Sequence, residues 1–479
     1  MEATQVNSGF AFRDDRGDGL DLRTVTYAGQ RVASRLYFAL RDDWWRTVPL
    51  EIRDSRRQLS AHGAVHEIDA VGRWPSHPFE VTVRYVVDGA ELTAEFAATA
   101  RGSFTYRRVG FCVLFGADEF RGRPATSWRA GEATPFDFPA RIVTRDHLDP
   151  ASVRFHRPFN RLDTTLEPGI RVRYRFEGDE FEFEDQRNWT DASYKAYSVP
   201  PPDRGPLSTK DGERFVQRIR IRVDPAGEVV FGTATAGAGD DRSIRLGARI
   251  GEVPSIGLYE RRLSSHSYRP AGGFQEWNAQ RPDAARLSVH DSIELGVNGA
   301  VHAADDDSVL EATALHGALV AQVRAAHPDL PVGLAPVTFL DTPGDWRDEA
   351  GDYLAAPPPG PAPGRRAEEF AATWVIASAA RAVPEGPQAL RYFDASLPAA
   401  CPAARTVARL AGLRGRPVLA VEAPPPLAAL AVEVDGAVVL AVANPSPDPA
   451  RFRLPDGREA SLPGFASHWF EAPWPPASR

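Results

Sequence analysis

The sequence predicts a multidomain α/β plus β protein, with an N-terminal antiparallel β-sandwich, a central α/β region and a small C-terminal β domain. Three observations carry that prediction. Up to about Val230, segments such as Glu80-Val81-Thr82-Val83-Arg84-Tyr85-Val86-Val87 and Arg171-Val172-Arg173-Tyr174-Arg175-Phe176 alternate polar and apolar residues. That period of two is the mark of strands with one wet face. Beyond about Ser243, short apolar runs alternate with Ala-rich stretches at helical spacing, the pattern of a parallel α/β sheet or barrel. From about Leu427 the chain returns to strands.

The elements follow in order. Asp88-Gly89 stands between two alternating runs and Glu177-Gly178-Asp179 precedes another, so both mark turns. Val309 to Ala326 places apolar residues at helical spacing and runs into the buried strand Pro331 to Val337. A second helix, Ala367 to Ala382, runs into Ala389–Phe393, and a third, Ala403 to Leu413, into Pro417–Val421. Ala355 to Gly364, rich in proline, reads as a stiff exposed loop. Asp435-Gly436 joins Ala429–Val434 to Ala437–Val442 as a hairpin whose turn needs positive φ. The expected domains are residues 1–242, 243–426 and 427–479.

The composition excludes several classes. Hydrophobic residues make up 43% and charged residues 25% of the 479, so a sizeable core can form. A net charge of −8 offers no basic field for nucleic acid. There is no run of 18 apolar residues for a membrane span, and Met1-Glu2-Ala3-Thr4-Gln5 lacks the basic start of a signal peptide. With only Cys112 and Cys401, a disulfide scaffold and a zinc ribbon are excluded, and a cytoplasmic location is expected. G-x-S-x-G, G-x-x-x-x-G-K-[ST], G-x-G-x-x-G and H-E-x-x-H motifs are missing, which argues against serine hydrolase, nucleotide and zincin chemistry. No metal and no cofactor are expected.

Four clusters carry candidate chemistry. Glu184 to Lys195 is densely polar, and within it Arg187, Asn188 and Asp191 supply donors and acceptors for a polyol while Trp189 offers a flat face. Its plainer reading is a hydrogen-bond network that fixes the fold. Gly272-Gly273-Phe274-Gln275-Glu276-Trp277-Asn278 would place Glu276 at a strand end beside an aromatic wall as a general acid or base, or else as a solvated loop residue. His302 follows the strand Ile293–Val297 through Asn298, where an imidazole can shuttle protons, although a lone His is commonly structural. Asp394 closes the strand Leu390–Phe393, a place where barrels expose catalytic groups, with a turn acid as the alternative. Asp305-Asp306-Asp307-Ser308 reads as a helix cap rather than a metal site.

At these clusters the sequence resembles the D-apionate lactonase family. The resemblance rests on Tyr106 to Leu114, Glu184 to Tyr194, Phe274 to Pro282, Val297 to Ala303, Ala335-Pro336-Val337-Thr338, Ala372-Thr373-Trp374 and Val442-Ala443-Asn444. It implies an N-terminal β domain, a glycoside-hydrolase-like TIM barrel and a C-terminal β domain, with ring-opening hydrolysis of a sugar-acid lactone as the activity. It further implies Glu276 as base or acid, Asp394 as its partner, and His302, Asn278 and Arg187 as orienting or oxyanion-side groups. Asn188, Trp189, Asp191, Trp277, Asn278 and Asn298 join Arg187 as substrate contacts. The alternatives are a glycoside hydrolase using the two carboxylates, and a non-catalytic carbohydrate-binding homologue. Three departures stand out. Asn298-Gly299-Ala300 replaces an expected Asn-Pro-Gln, Ala279 replaces an Arg, and Asp394 is a methylene shorter than the expected Glu. From Ser243 to Ala423 there are about 180 residues, against roughly 250 for an ordinary TIM barrel, so a reduced barrel is expected.

Overall fold

The computed structural model describes residues 4–5, 9–15, 20–43, 45–59, 63–144, 150–166, 169–198, 206–224, 242–260, 266–270, 273–339 and 364–472. Gly272 and the Pro-rich stretch Ala355 to Pro363 lie outside them. The chain divides into two compact units: residues 1–186 with 193–238, and residues 187–192 with 239–479.

The first unit is a sandwich of a seven-stranded and a nine-stranded antiparallel sheet. Alternation builds it. In the strand Phe79–Asp88, Phe79, Val81, Val83, Tyr85 and Val87 are buried while the residues between them are not. Its neighbour Glu91–Ala100 follows across a two-residue turn, Asp88 pairing with Glu91 and Gly89 at φ +56°. Aromatic rings lock the two inner faces together: Phe38 meets Phe96 at 4.8 Å and Phe115 meets Tyr174 at 5.1 Å between centroids. At one edge of the seven-stranded sheet, Ser193–Ser198 lies between Arg108–Gly116 and Phe181–Asp185.

The second unit contains a five-stranded parallel sheet. Its strands and helices in chain order are β1 (Ser255–Tyr259), β2 (Ser267–Tyr268), α1 (Gly273–Gln280), β3 (Ser292–Asn298), α2 (Asp306–Ala312), α3 (His316–Ala326), β4 (Val332–Thr338), α4 (Glu369–Ala382), β5 (Ala389–Asp394) and α5 (Pro402–Ala411). The sheet order is β1-β5-β4-β3-β2, every pair parallel. In a closed eight-fold barrel each strand lies beside its successor and the last beside the first. Here β1 pairs with the last strand as a barrel requires, but its successor β2 stands at the far edge. The connection between them is residues 260–266, too short to hold the missing strand and helix repeats. This is the reduced barrel expected from the residue count.

Register places Ile256, Leu390, Leu334 and Leu295 in one row, all buried, while Ser255, Ala389, Gly333 and Glu294 form the adjacent row on the opposite face. Helices α1, α3 and α5 pack against β3, β4 and β1. Asp305 caps α2, accepting from Ser308 N at 2.9 Å and from its hydroxyl at 3.0 Å, so the acidic run serves as a helix start. Gly317 sets how closely α3 approaches α4, because a Cβ there would lie 2.3 Å from the Arg381 carbonyl oxygen. Gly317→Ala is therefore expected to destabilise the protein by about 1–3 kcal/mol, read as a lower urea midpoint with an unchanged slope.

The sheet that follows α5 corrects one expectation. The strand Pro417–Glu422, read as a continuation of the helix–strand repeat, pairs antiparallel with Arg245–Glu252 and Ala428–Val434. It thus belongs to a second sheet, completed by Ala437–Ala443 and Ser467–Ala472. Local hydrophobicity specifies a buried strand but not its direction. The Asp435-Gly436 turn joins Val434 to Ala437 with φ of +49° and +85°, as predicted for that dipeptide. Among the described residues no helix is long and apolar enough to cross a membrane.

Candidate active site

Residues 187–192 leave the edge of the seven-stranded sheet and belong to the second unit. Gln186–Trp189 forms a 3-10 turn, closed by Thr190 N donating to Arg187 O at 3.2 Å. Thr190 then adopts φ +66°, an unfavourable region for a β-branched residue. Its hydroxyl holds it there, lying 2.6 Å from Trp189 O and donating to Asn298 O at the end of β3.

This turn gathers side chains far apart in sequence. Asn278 Nδ2 on α1 donates to Asn188 Oδ1 at 2.7 Å, and Gln322 Nε2 on α3 reaches Asn278 Oδ1 at 3.4 Å. His302 Nδ1 is hydrogen-bonded to Asp191 Oδ2, and the Trp189 ring stands edge-on to the imidazole at 6.3 Å. The His302 and Asp191 side chains are 19% and 14% exposed, sheltered yet reachable. Arg187, Asn188, Asn278 and Asn298 are buried. Asn298 Oδ1 accepts from Ala300 N at 2.9 Å, whereas its Nδ2 is a buried donor without a hydrogen bond among the described residues.

Other expected site residues lie elsewhere. Glu276 is not at a strand end but within α1, whose buried Phe274, Trp277 and Asn278 mark its inner side. Its carboxylate accepts from Gln280 Nε2, and its charge is felt by the Tyr268 phenol, which burial chiefly raises above its ordinary range. Two positions separate Glu276 from Asn278, about 200° around a helix, so the two point apart. Trp277 packs against Phe274 at 5.6 Å and His327 at 5.8 Å. Asp394 is exposed and accepts from Ser396 N at 2.8 Å, the geometry of a turn acid. Among the described residues, no hydrogen bond or ion pair joins Asp394 to Glu276 or His302.

The arrangement therefore unites Asn188, Trp189, Asp191, Asn278, Asn298 and His302 around the turn that holds the buried Arg187, while Glu276 accepts from Gln280, Trp277 packs against Phe274 and His327, and Asp394 bonds within its own turn. Thr190 and Gln322 complete it and were not anticipated. A Thr between Trp and Asp carries no local signal for positive φ, and Gln322 reads as one more polar position on a helix.

Residues 15–226 match the family model described as D-apionate lactonase, N-terminal domain, and residues 270–407 match D-apionate lactonase, TIM barrel domain. A D-apionate lactonase from Brucella anthropi is 29% identical over 259 residues, covering 51% of this chain and 39% of that protein. The match thus spans about two fifths of the relative's length. Among solved structures, galactose 1-epimerase from Lactobacillus acidophilus NCFM aligns with 46% of this chain and 93% of its own at 9% identity and a TM-score of 0.31. GH36 alpha-galactosidase AgaA from Geobacillus stearothermophilus aligns with 98% of this chain and 99% of its own at 9% identity and 0.32.

Proposed function

Because this chain belongs to the D-apionate lactonase family, we propose that it hydrolyses the ring ester of a sugar-acid lactone. The observation that carries the mechanism is the bond between Asp191 and His302 Nδ1. A carboxylate on Nδ1 fixes the imidazole tautomer and leaves Nε2 to accept a proton. In the proposed reaction Nε2 takes a proton from water as the water oxygen attacks the lactone carbonyl carbon. The tetrahedral oxyanion collapses, the ring C–O bond breaks, and the imidazolium returns its proton to the departing alkoxide. The product is an open-chain hydroxy acid. Asn298 Nδ2 is assigned as an oxyanion donor, since a buried amide with no partner among the described residues is a donor in reserve. Arg187, Asn188, Trp189 and Asn278 shape the surroundings, and the reaction so written does not call on Glu276 and Asp394 as a carboxylate pair.

A glycoside-hydrolase reading needs Glu276 and Asp394 to act across one bond, and the two are engaged by different neighbours. A non-catalytic carbohydrate-binding reading is favoured by one observation, that Asn188, Thr190 and Asn278 are already spent on one another and on β3. A pH-indicator assay of a panel of sugar lactones separates these readings, because each ester opened releases one acid. Acid release by the wild type that survives Glu276→Gln supports the His302 assignment. Release that Glu276→Gln alone abolishes transfers the base role to Glu276, and binding without release establishes the non-catalytic reading.

A further inference from the structure

On the outward face of the nine-stranded sheet, charges answer one another across strands: Arg84 lies 3.8 Å from Glu95 and Arg218 lies 3.4 Å from Glu177. These groups are well exposed, as expected of a sheet face in water. The seven-stranded sheet of the same unit is different. Arg41, ending the strand Gln30–Arg41, and Arg108, opening Arg108–Gly116, are direct partners in the antiparallel ladder, so both side chains leave the same face. They are only 7% and 8% exposed. Among the described residues neither has a carboxylate within ion-pair distance. Arg41 Nη1 donates to Trp45 O at 3.3 Å and Arg108 Nη1 donates to Ser198 O. Asp179 feels the Arg108 charge but makes no ion pair with it.

Two like charges side by side, largely withdrawn from water and with no carboxylate within ion-pair distance among the described residues, are unfavourable. Aromatic rings flank Arg108. The Arg108 guanidinium carbon is 3.5 Å from the Tyr197 ring centroid and 5.6 Å from that of Trp45. Lys195 Nζ, paired with Glu184 at 2.5 Å, sits 4.7 Å from the same Tyr197 ring. Trp45 is 40% exposed and held at φ +66°, a left-handed conformation that a bulky residue adopts only when its surroundings impose it.

We infer that Arg41 and Arg108 form the anion-binding half of a site for a carboxylate-bearing polyol, with Tyr197 and Trp45 as its flat walls. Paired guanidinium forks match the planar geometry of a carboxylate, and ring faces accept the carbon face of a polyol. An open-chain sugar acid is the product class of the proposed hydrolysis, and the choice of polyol rests on that reading. The arginine pair does not.

The test is isothermal titration of the full chain with sodium gluconate at constant ionic strength, with inorganic phosphate in a parallel arm. Saturable gluconate binding is expected, with a gluconate-dependent rise in Tm that phosphate does not reproduce. Arg108→Gln and Arg41→Gln should each weaken gluconate at least about tenfold. Each should also unfold no earlier than the wild type without ligand, because one of two apposed like charges is gone. A purely structural arginine would instead lower Tm. No saturable binding by the wild type, undiminished binding by both variants, or equal binding of phosphate overturns the proposal. Arginine-dependent gluconate binding by a chain that opens no lactone would leave this site standing and remove the catalytic reading. Lactone turnover without gluconate binding would do the reverse.

Discussion

Lactone opening by the His302→Gln variant is expected to fall by about 100–10,000-fold in kcat, the usual worth of a positioned general base. KM should change little, since the imidazole handles a proton rather than holding the substrate. Asp191→Asn should produce a loss of similar order, although it leaves His302 in place. An amide can donate where the carboxylate only accepts, so the imidazole is free to take the other tautomer and present the wrong nitrogen. The paired measurement is steady-state kinetics on both variants beside their unfolding midpoints. Full turnover by His302→Gln would remove His302 from the reaction. A large drop in Tm with unchanged kcat in Asp191→Asn would mean that the pair only braces the turn. His302 is partly exposed and lies outside the apolar core, which is why a small stability change is expected.

The second large effect is on stability in acid. His316, at the start of α3, is fully buried; its Nδ1 lies 2.7 Å from Ser378 Oγ, which lies 2.9 Å from the Tyr392 hydroxyl on β5. Nε2 has no partner among the described residues, and the Trp374 ring closes one side at 5.6 Å. Burial pushes the imidazole down to about 3, while in the unfolded chain it titrates near 6.5. Above 6.5 neither state carries the proton. Between 6.5 and 3 the unfolded state binds it and the folded state refuses it, so stability falls as pH falls, by at most about 1.4 kcal/mol per pH unit. From pH 7 to 4.5 this group alone should cost about 2–3 kcal/mol. The check is urea unfolding of the wild type and His316→Gln at both pH values. The variant should be less stable at neutral pH, having lost the bond to Ser378, and the gap should narrow on acidification. Parallel pH dependences for the two proteins would refute the assignment.

Much of this fold is legible in the residues, for a physical reason. Strands that bury one face must alternate, as Phe79–Asp88 does, and turns that need positive φ must carry residues that tolerate it, as Asp435-Gly436 does. Strand direction is not so constrained, and Pro417–Glu422 shows it: the same apolar run satisfies a parallel or an antiparallel neighbour. The helix around Glu276 is hidden by Asn278, a polar residue at a buried position that breaks the apolar stripe and is explained by its bonds to Asn188 and Gln322. The site itself depends on contacts between residues distant in the chain, His302 to Asp191 across 111 positions and Asn278 to Asn188 across 90. Local pattern can nominate such residues one at a time, but only the folded chain joins them. Asp394 illustrates the opposite case, a strand-end acid with a site-like address and the bonding of an ordinary turn.

The assignment of residues 187–192 to the second unit has a consequence for the order in which the molecule is made. A ribosome releases Asn188, Thr190 and Asp191 well before Asn278, Asn298 and His302, so these side chains wait for partners while the strands on either side of them are already available to pair. A polypeptide begun at residue 239 would carry His302 but never Asp191. Genetic dissection at the apparent boundary would yield a fragment whose imidazole has lost its orienting carboxylate, and its inactivity would be a fault of the cut rather than of the chemistry.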